Sequence, residues 1–223
     1  MYGDTDPVFA YTVDNLVPGE ALSGALSREA GENVGSYAIL QGTITNANNA
    51  NYDITFVSKD FTITKATLTV TAKDAAITYG EDAQISGILS SSYEVSGLQN
   101  GDAATVVTGS MGLAALSDAA NYSTSNHLKA DAADKYVFDV GSLNAGGNYE
   151  INFVNLVGTD KRALTVNRKT LVTDVDFETS KVYDGTTSVT VTGATLTNLE
   201  SGATQSDDVT LNVVLAYNDA NVA

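Results

Sequence analysis

Few residues in this chain have the chemistry of a reactive or metal-binding site. There is one histidine, His127, set in Ser123-Thr124-Ser125-Asn126-His127, and there is no cysteine and no tryptophan. Absent cysteine excludes disulfide scaffolds, thiolate nucleophiles, Cys-ligated zinc and iron–sulfur clusters. A lone histidine in a polar loop is most often solvated, and no metal-ligand spacing surrounds His127. The H-E-x-x-H, G-x-S-x-G and phosphate-loop patterns are missing as well. Asp4 with Asp6, and Asp207 with Asp208, offer hard oxygens for calcium. Neither pair matches an EF-hand loop, and aspartates bonding turn N–H groups is the favoured reading. Lys65 and Lys181 suggest a Lys–Asn isopeptide crosslink, which no spacing specifically supports. Tyr37, Tyr52, Tyr136 and Tyr149 could stack on sugars, but they share a face with Ile and Phe, which favours core packing. The expectation is therefore no catalytic residue, no cofactor-binding residue, no metal ligand, no cofactor and no enzymatic activity.

Composition narrows the partners. The 223 residues carry 11 Lys+Arg against 27 Asp+Glu, a net charge of −16. Such a surface repels phosphate, so nucleic acid and anionic lipid are poor partners. No stretch reaches the ~20 apolar residues of a membrane span. The N-terminus lacks the basic start and apolar run of a secretion signal. With 43% hydrophobic residues, the chain can still bury cores.

These residues are arranged in repeats. Tyr2-Gly3-Asp4 recurs as Tyr79-Gly80-Glu81, 77 positions on. Asn51-Tyr52-Asp53-Ile54-Thr55-Phe56-Val57 recurs as Asn148-Tyr149-Glu150-Ile151-Asn152-Phe153-Val154, 97 positions on, so the second copy has a 20-residue surplus. A third start stands at Lys181-Val182-Tyr183-Asp184-Gly185-Thr186-Thr187. The second and third starts follow extended lead-ins at 66–78 and 169–181, whereas only Met1 precedes the first. The reading is a fragment of a longer array.

The elements that carry the repeats read as strands. Tyr52, Ile54 and Phe56 alternate with Asp53 and Thr55, and Tyr149, Ile151 and Phe153 do the same. Clusters of Gly, Asn and Asp separate the runs. The one helix-compatible patch is 112–120, within the surplus. At the first junction the apolar phase slips, from Phe61 and Ile63 to Leu68 and Val70, and the second junction slips likewise. A one-residue slip flips the buried face, as when a chain leaves one core and enters the next. Neither junction contains Gly or Pro, so neither reads as a flexible linker.

The Tyr-Gly-Asp-Thr-Asp-Pro start, Asn33-Val34-Gly35-Ser36-Tyr37-Ala38-Ile39, Asn51-Tyr52-Asp53-Ile54 and Phe61-Thr62-Ile63-Thr64-Lys65-Ala66 resemble the MBG repeat of large bacterial cell-surface adhesins. The third start and Asp208-Val209-Thr210-Leu211 resemble the related YDG repeat. The resemblance implies extracellular tandem modules that build a stalk or project a binding region. It supplies no catalytic residues.

The expected fold is all-β, with tandem Ig-like β-sandwich modules in an elongated array. A β-grasp-like module is the alternative, disfavoured because the first copy shows no helix of ~10 residues. The expected modules are 1–66, lacking an N-terminal strand; 67–168, with an insertion at about 105–130; and a partial third at 169–223. The expected role is a non-enzymatic stalk segment on the bacterial cell surface. It is monomeric, not membrane-inserted, and has its own neighbouring modules as partners. The alternative is an adhesive module that binds a host or environmental glycan or protein through residues 105–130.

Overall fold

A computed structural model describes residues 1–123, 126–130, 136–158, 160–177, 182, 184–188 and 191–197. The chain is all-β, built of small mixed sheets. Its first strands are β1 (Ser27–Arg28), β2 (Gly35–Leu40), β3 (Asp60–Ile63), β4 (Ala66–Ala72) and β5 (Ala75–Thr78). Helix α1 (Ile85–Ser91) follows, then β6 (Tyr93–Ser96), β7 (Gly112–Leu113), β8 (Tyr136–Asp139) and β9 (Tyr149–Val154). The last are β10 (Leu156–Val157), β11 (Asp160–Lys161), β12 (Ala163–Asn167), β13 (Val172–Phe177) and β14 (Val191–Thr197).

Two compact units divide the chain. The first comprises Met1–Thr71, Tyr93–Gly109 and Ser142–Val154, so it draws on both of the first two repeats. One of its sheets is the antiparallel β1-β2-β3. The other has the order β6-β4-β9, with β4 and β9 parallel in the register Leu68 to Ile151 and Val70 to Phe153. The Thr side chains of β4 alternate with buried Ala66, Leu68 and Val70, the pattern of a strand with one face in a core. The chain ends β3 in one sheet and starts β4 in another, which is the cause of the phase slip near Lys65.

The second unit comprises Ala72–Ser92, Ser110–Gly141 and Asn155–Ala223. Its largest sheet has the order β5-β12-β8-β7, in which β5 and β12 are parallel and the other pairs antiparallel. Tyr136, Phe138, Leu164, Leu128 and Met111 are its most buried large side chains. Two antiparallel ribbons, β10-β11 and β13-β14, complete its described part, the second with a bulge between Asp176 and Phe177.

Sheet β1-β2-β3 repeats β7-β8-β12 in order and register. Tyr37 faces Phe61 as Tyr136 faces Leu164, and Arg28 faces Ile39 as Leu113 faces Phe138. The turn glycines agree as well. Gly42 (φ 59°) and Gly141 (φ 53°) both lie in the left-handed region, and a Cβ there would strike the backbone of Ala25 or of Met111. Arg28 and Leu113 are 85 positions apart and Tyr37 and Tyr136 are 99, so the largest surplus, 14 residues, falls between β7 and β8.

Helix lies elsewhere than the sequence suggests. The patch 112–120 forms β7 and 3-10 turns, one of them capped by Asp118 accepting from Ala120 N. Helix α1 instead buries Ile85 and Leu89, one turn apart. No described helix is long and apolar enough to cross a membrane.

Candidate functional site

The repeated Tyr-Gly starts take one conformation. Gly3 has φ +85° and Gly80 +88°, values that favour glycine. Tyr2 N donates to Thr64 O and Tyr79 N donates to Asn167 O, each at 2.8 Å. At the first start the tyrosine reaches into the following repeat. Tyr2 is buried, and its hydroxyl donates to Asp102 Oδ2 at 3.0 Å. Tyr149 donates to the same oxygen at 2.8 Å, and Gln99 N donates to the Tyr149 hydroxyl at 2.8 Å. The Tyr2 and Tyr149 rings meet edge to face, 5.3 Å between centroids. Burial first, with the Asp102 carboxylate adding to it, holds the Tyr149 pKa above the ordinary tyrosine value. Asn148 makes a second link. Its Oδ1 accepts from Val34 N at 3.0 Å and its Nδ2 donates to Asn33 Oδ1 at 2.9 Å.

One half of this clasp, a tyrosine on a turn carboxylate, is built once more inside the first repeat. Tyr52 donates to Glu20, and Val17 N donates to the Tyr52 hydroxyl at 3.3 Å. Tyr11-Thr12-Val13-Asp14-Asn15-Leu16-Val17-Pro18-Gly19-Glu20 is the counterpart of Tyr93-Glu94-Val95-Ser96-Gly97-Leu98-Gln99-Asn100-Gly101-Asp102. Tyr, Val, Leu, Gly and the acid recur at one spacing. Asn15 and Gly97 both have positive φ, as do Gly19 and Gly101.

The family model for the MBG domain (YGX type) matches residues 1–62 and 68–159, and that for the YDG domain matches 161–223. The chain belongs to the MBG domain (YGX type) family. The Tyr-Gly starts therefore fall one in each of the two MBG domains, and the clasp joins the start of the first to the second. No curated protein and no solved structure matches the chain.

The other sequence candidates take their places around these MBG domains. His127 is not simply solvated. Its Nδ1 lies 2.6 Å from Asp82 Oδ2, Leu128 N donates to Asp82 Oδ1 at 3.1 Å, and the imidazole stands edge-on to Tyr79. Ser123 Oγ accepts from the His127 backbone N–H, so Ser123, His127 and Asp82 do not form a nucleophile–base–acid relay. The dyad fastens the long β7–β8 connection to Asp82 of its own domain.

Asp4 and Asp6 diverge. Asp4 pairs with the N-terminal amine at 3.2 Å and Asp6 with Arg28 Nε at 2.7 Å. Arg28 also donates to the carbonyls of Glu29 and Gly31, pairs with Glu32, and lies over the Tyr37 and Phe61 rings. Among the described residues no three His, Asp or Glu side chains gather as a metal site. Asp207, Asp208, Lys181 and Tyr183 lie outside the described residues, as do Thr124 and Ser125. Beside the strand that Lys65 leads into, Ala66 N donates to Asn148 O, and the Asn148 amide is bonded to Val34 and Asn33.

The four tyrosines divide by domain. Tyr136 and Tyr149 are core residues of the second MBG domain, whereas Tyr37 and Tyr52 are half-buried in the first. Sequence comparison alone pairs the tyrosines but misses their acids. The Tyr11–Glu20 and Tyr93–Asp102 match sits 82 positions apart, out of step with the 77 and 97 of the obvious landmarks.

Proposed function

We propose that this chain is a non-enzymatic spacer segment of a bacterial cell-surface adhesin, in which successive MBG and YDG domains stack to project a binding region. The observation that carries the reading is the clasp of Tyr2, Asp102 and Tyr149. A buried tyrosine, a carboxylate and a second tyrosine tie the first repeat to the second within one compact unit, so the two repeats do not hinge freely at that joint. The Asn148 amide works at the same joint, and a junction without Gly or Pro adds to the stiffness. The −16 charge serves solubility and keeps neighbouring stalks apart. The partners are then the neighbouring domains, and the compartment is extracellular. His127 and Asp82 support reading the surplus as part of its own domain and not as a free binding loop.

Small-angle scattering of the intact chain tests this. The expected profile is that of an extended particle with restricted motion between the first two domains. Asp102→Ala is expected to broaden the distribution of shapes while the far-UV spectrum stays that of a β protein. A compact globule, or freely jointed domains in the unaltered chain, overturns the reading. Saturable glycan or matrix-protein binding that is lost on removing the 114–135 connection assigns the chain to adhesion instead.

A further inference from the structure

The second MBG domain has two strands that the first lacks. In the first compact unit, β4 is the central strand between β6 and β9. In the second unit, β5 covers the edge of β12, pairing Leu164 with Ala75 and Val166 with Ile77. Both strands belong to the lead-in ahead of Tyr79. The counterpart of β12 in the first domain is β3, whose place at the end of β1-β2-β3 leaves one edge without a strand among the described residues. The counterparts of β6 and β9 are residues 11–14 and 52–57, and neither stretch forms a strand.

Where a central strand would lie, there is a cavity. It measures about 780 Å³ and is lined by residues 10–16 and 52–57, by Leu22, Leu26, Ile39 and Ile44, and by Gln41 and Lys59. The corresponding place in the second domain holds β4, whose Leu68 and Val70 have 0% exposure. Side chains at the two sites differ accordingly. Tyr149 is 3% exposed while Tyr52 is half-buried, and Val57 is 79% exposed while Val154 is half-buried.

We infer that the first MBG domain is a strand acceptor: its cavity takes an extended segment with the Ala-Thr-Leu-Thr-Val-Thr-Ala pattern of β4, running parallel to residues 52–57, between them and residues 11–14, and leading into Tyr2. Parallel addition gives the backbone groups of 52–57 a ladder, as β4 gives to β9 from Ala66–Tyr149 to Thr71–Val154. The alternation places Ala, Leu and Val toward the apolar lining and Thr outward. A second short strand then runs beside β3 as β5 runs beside β12. Asn15 replaces Gly97, where a Cβ would stand 2.8 Å from Thr67 O, so the incoming backbone lies slightly further out at that point.

The test is hydrogen exchange on two forms of the full chain, one as given and one with a second copy of residues 66–78 directly ahead of Tyr2. The extended form is expected to slow exchange of the 52–57 and 11–14 amides by about 100-fold or more. A third form, with aspartate at the added positions that copy Leu68 and Val70, is expected to leave them unprotected. No gain in protection from the unaltered extension overturns the proposal, and so does equal protection from the aspartate form. Sedimentation provides the remaining arm. If the unextended chain dimerises and protects the same amides, the cavity belongs to a second copy and the proposal fails.

Discussion

Asp102 holds two tyrosine hydroxyls on one carboxylate oxygen, at 3.0 Å from Tyr2 and 2.8 Å from Tyr149. Charge-assisted bonds of this kind are stronger than neutral ones, and both donors sit on buried rings. Tyr149 also titrates in a way that ties the clasp to pH. Burial, then Asp102, raises its pKa in the fold, so the neutral phenol is the form the fold prefers. A raised value contributes stability that is whole below the unfolded pKa of about 10 and is lost as pH climbs from there through the folded value. Chemical denaturation across the alkaline range is therefore expected to show falling stability above about pH 10, with a shallower fall in Tyr149→Phe. An identical slope in the variant removes Tyr149 as a cause. The tyrosine was legible in the sequence as a repeated core position. Its acid was not, because a carboxylate in a Gly-Asp turn is indistinguishable by type from the many solvated aspartates of an acidic chain.

At the scale of elements, alternation was readable but pairing was not. Residues 52–57 and 149–154 carry the same period-two pattern, yet only the second is a strand, because β4 lies beside it. Period two reports a buried face and is silent on which neighbour supplies the ladder. The partner of β9 stands 83 positions earlier in the chain, in parallel, a pairing no local pattern announces. Helix α1 escaped for the opposite reason. Its seven residues give Ile85, Ile88 and Leu89 too few turns to establish a period, and Gly87 weakens the signal further. The energetic contrast between the two alternating stretches can be measured. Leu68→Ala in β4 removes a fully buried side chain and is expected to cost about 3 kcal/mol in urea unfolding. Ile54→Ala, at a half-buried position beside the cavity, is expected to cost about 1 kcal/mol or less. Equal losses would mean that residues 52–57 are as well packed as β9.

The repeats and the compact units of the whole molecule do not share boundaries. The first family match ends at residue 62, but the first compact unit also takes in β4, β6 and β9 from beyond it. Repeats that complete one another in this way are stabilised by neighbour terms as much as by their own cores. Residues 1–66 alone retain β1-β2-β3 and the Tyr52–Glu20 bond, but lose Asp102, Tyr149 and Asn148, the partners of Tyr2, Asn33 and Val34. A chain this short is marginal by size alone, and losing those contacts removes part of what offsets its conformational entropy. Residues 1–66 expressed alone are thus expected to show no cooperative urea transition. Residues 1–168, which restore every partner, are expected to unfold cooperatively. A cooperative transition of 1–66 at a midpoint close to that of 1–168 would make the first domain self-sufficient, and the clasp would then be a contact between finished domains instead of a condition for finishing one.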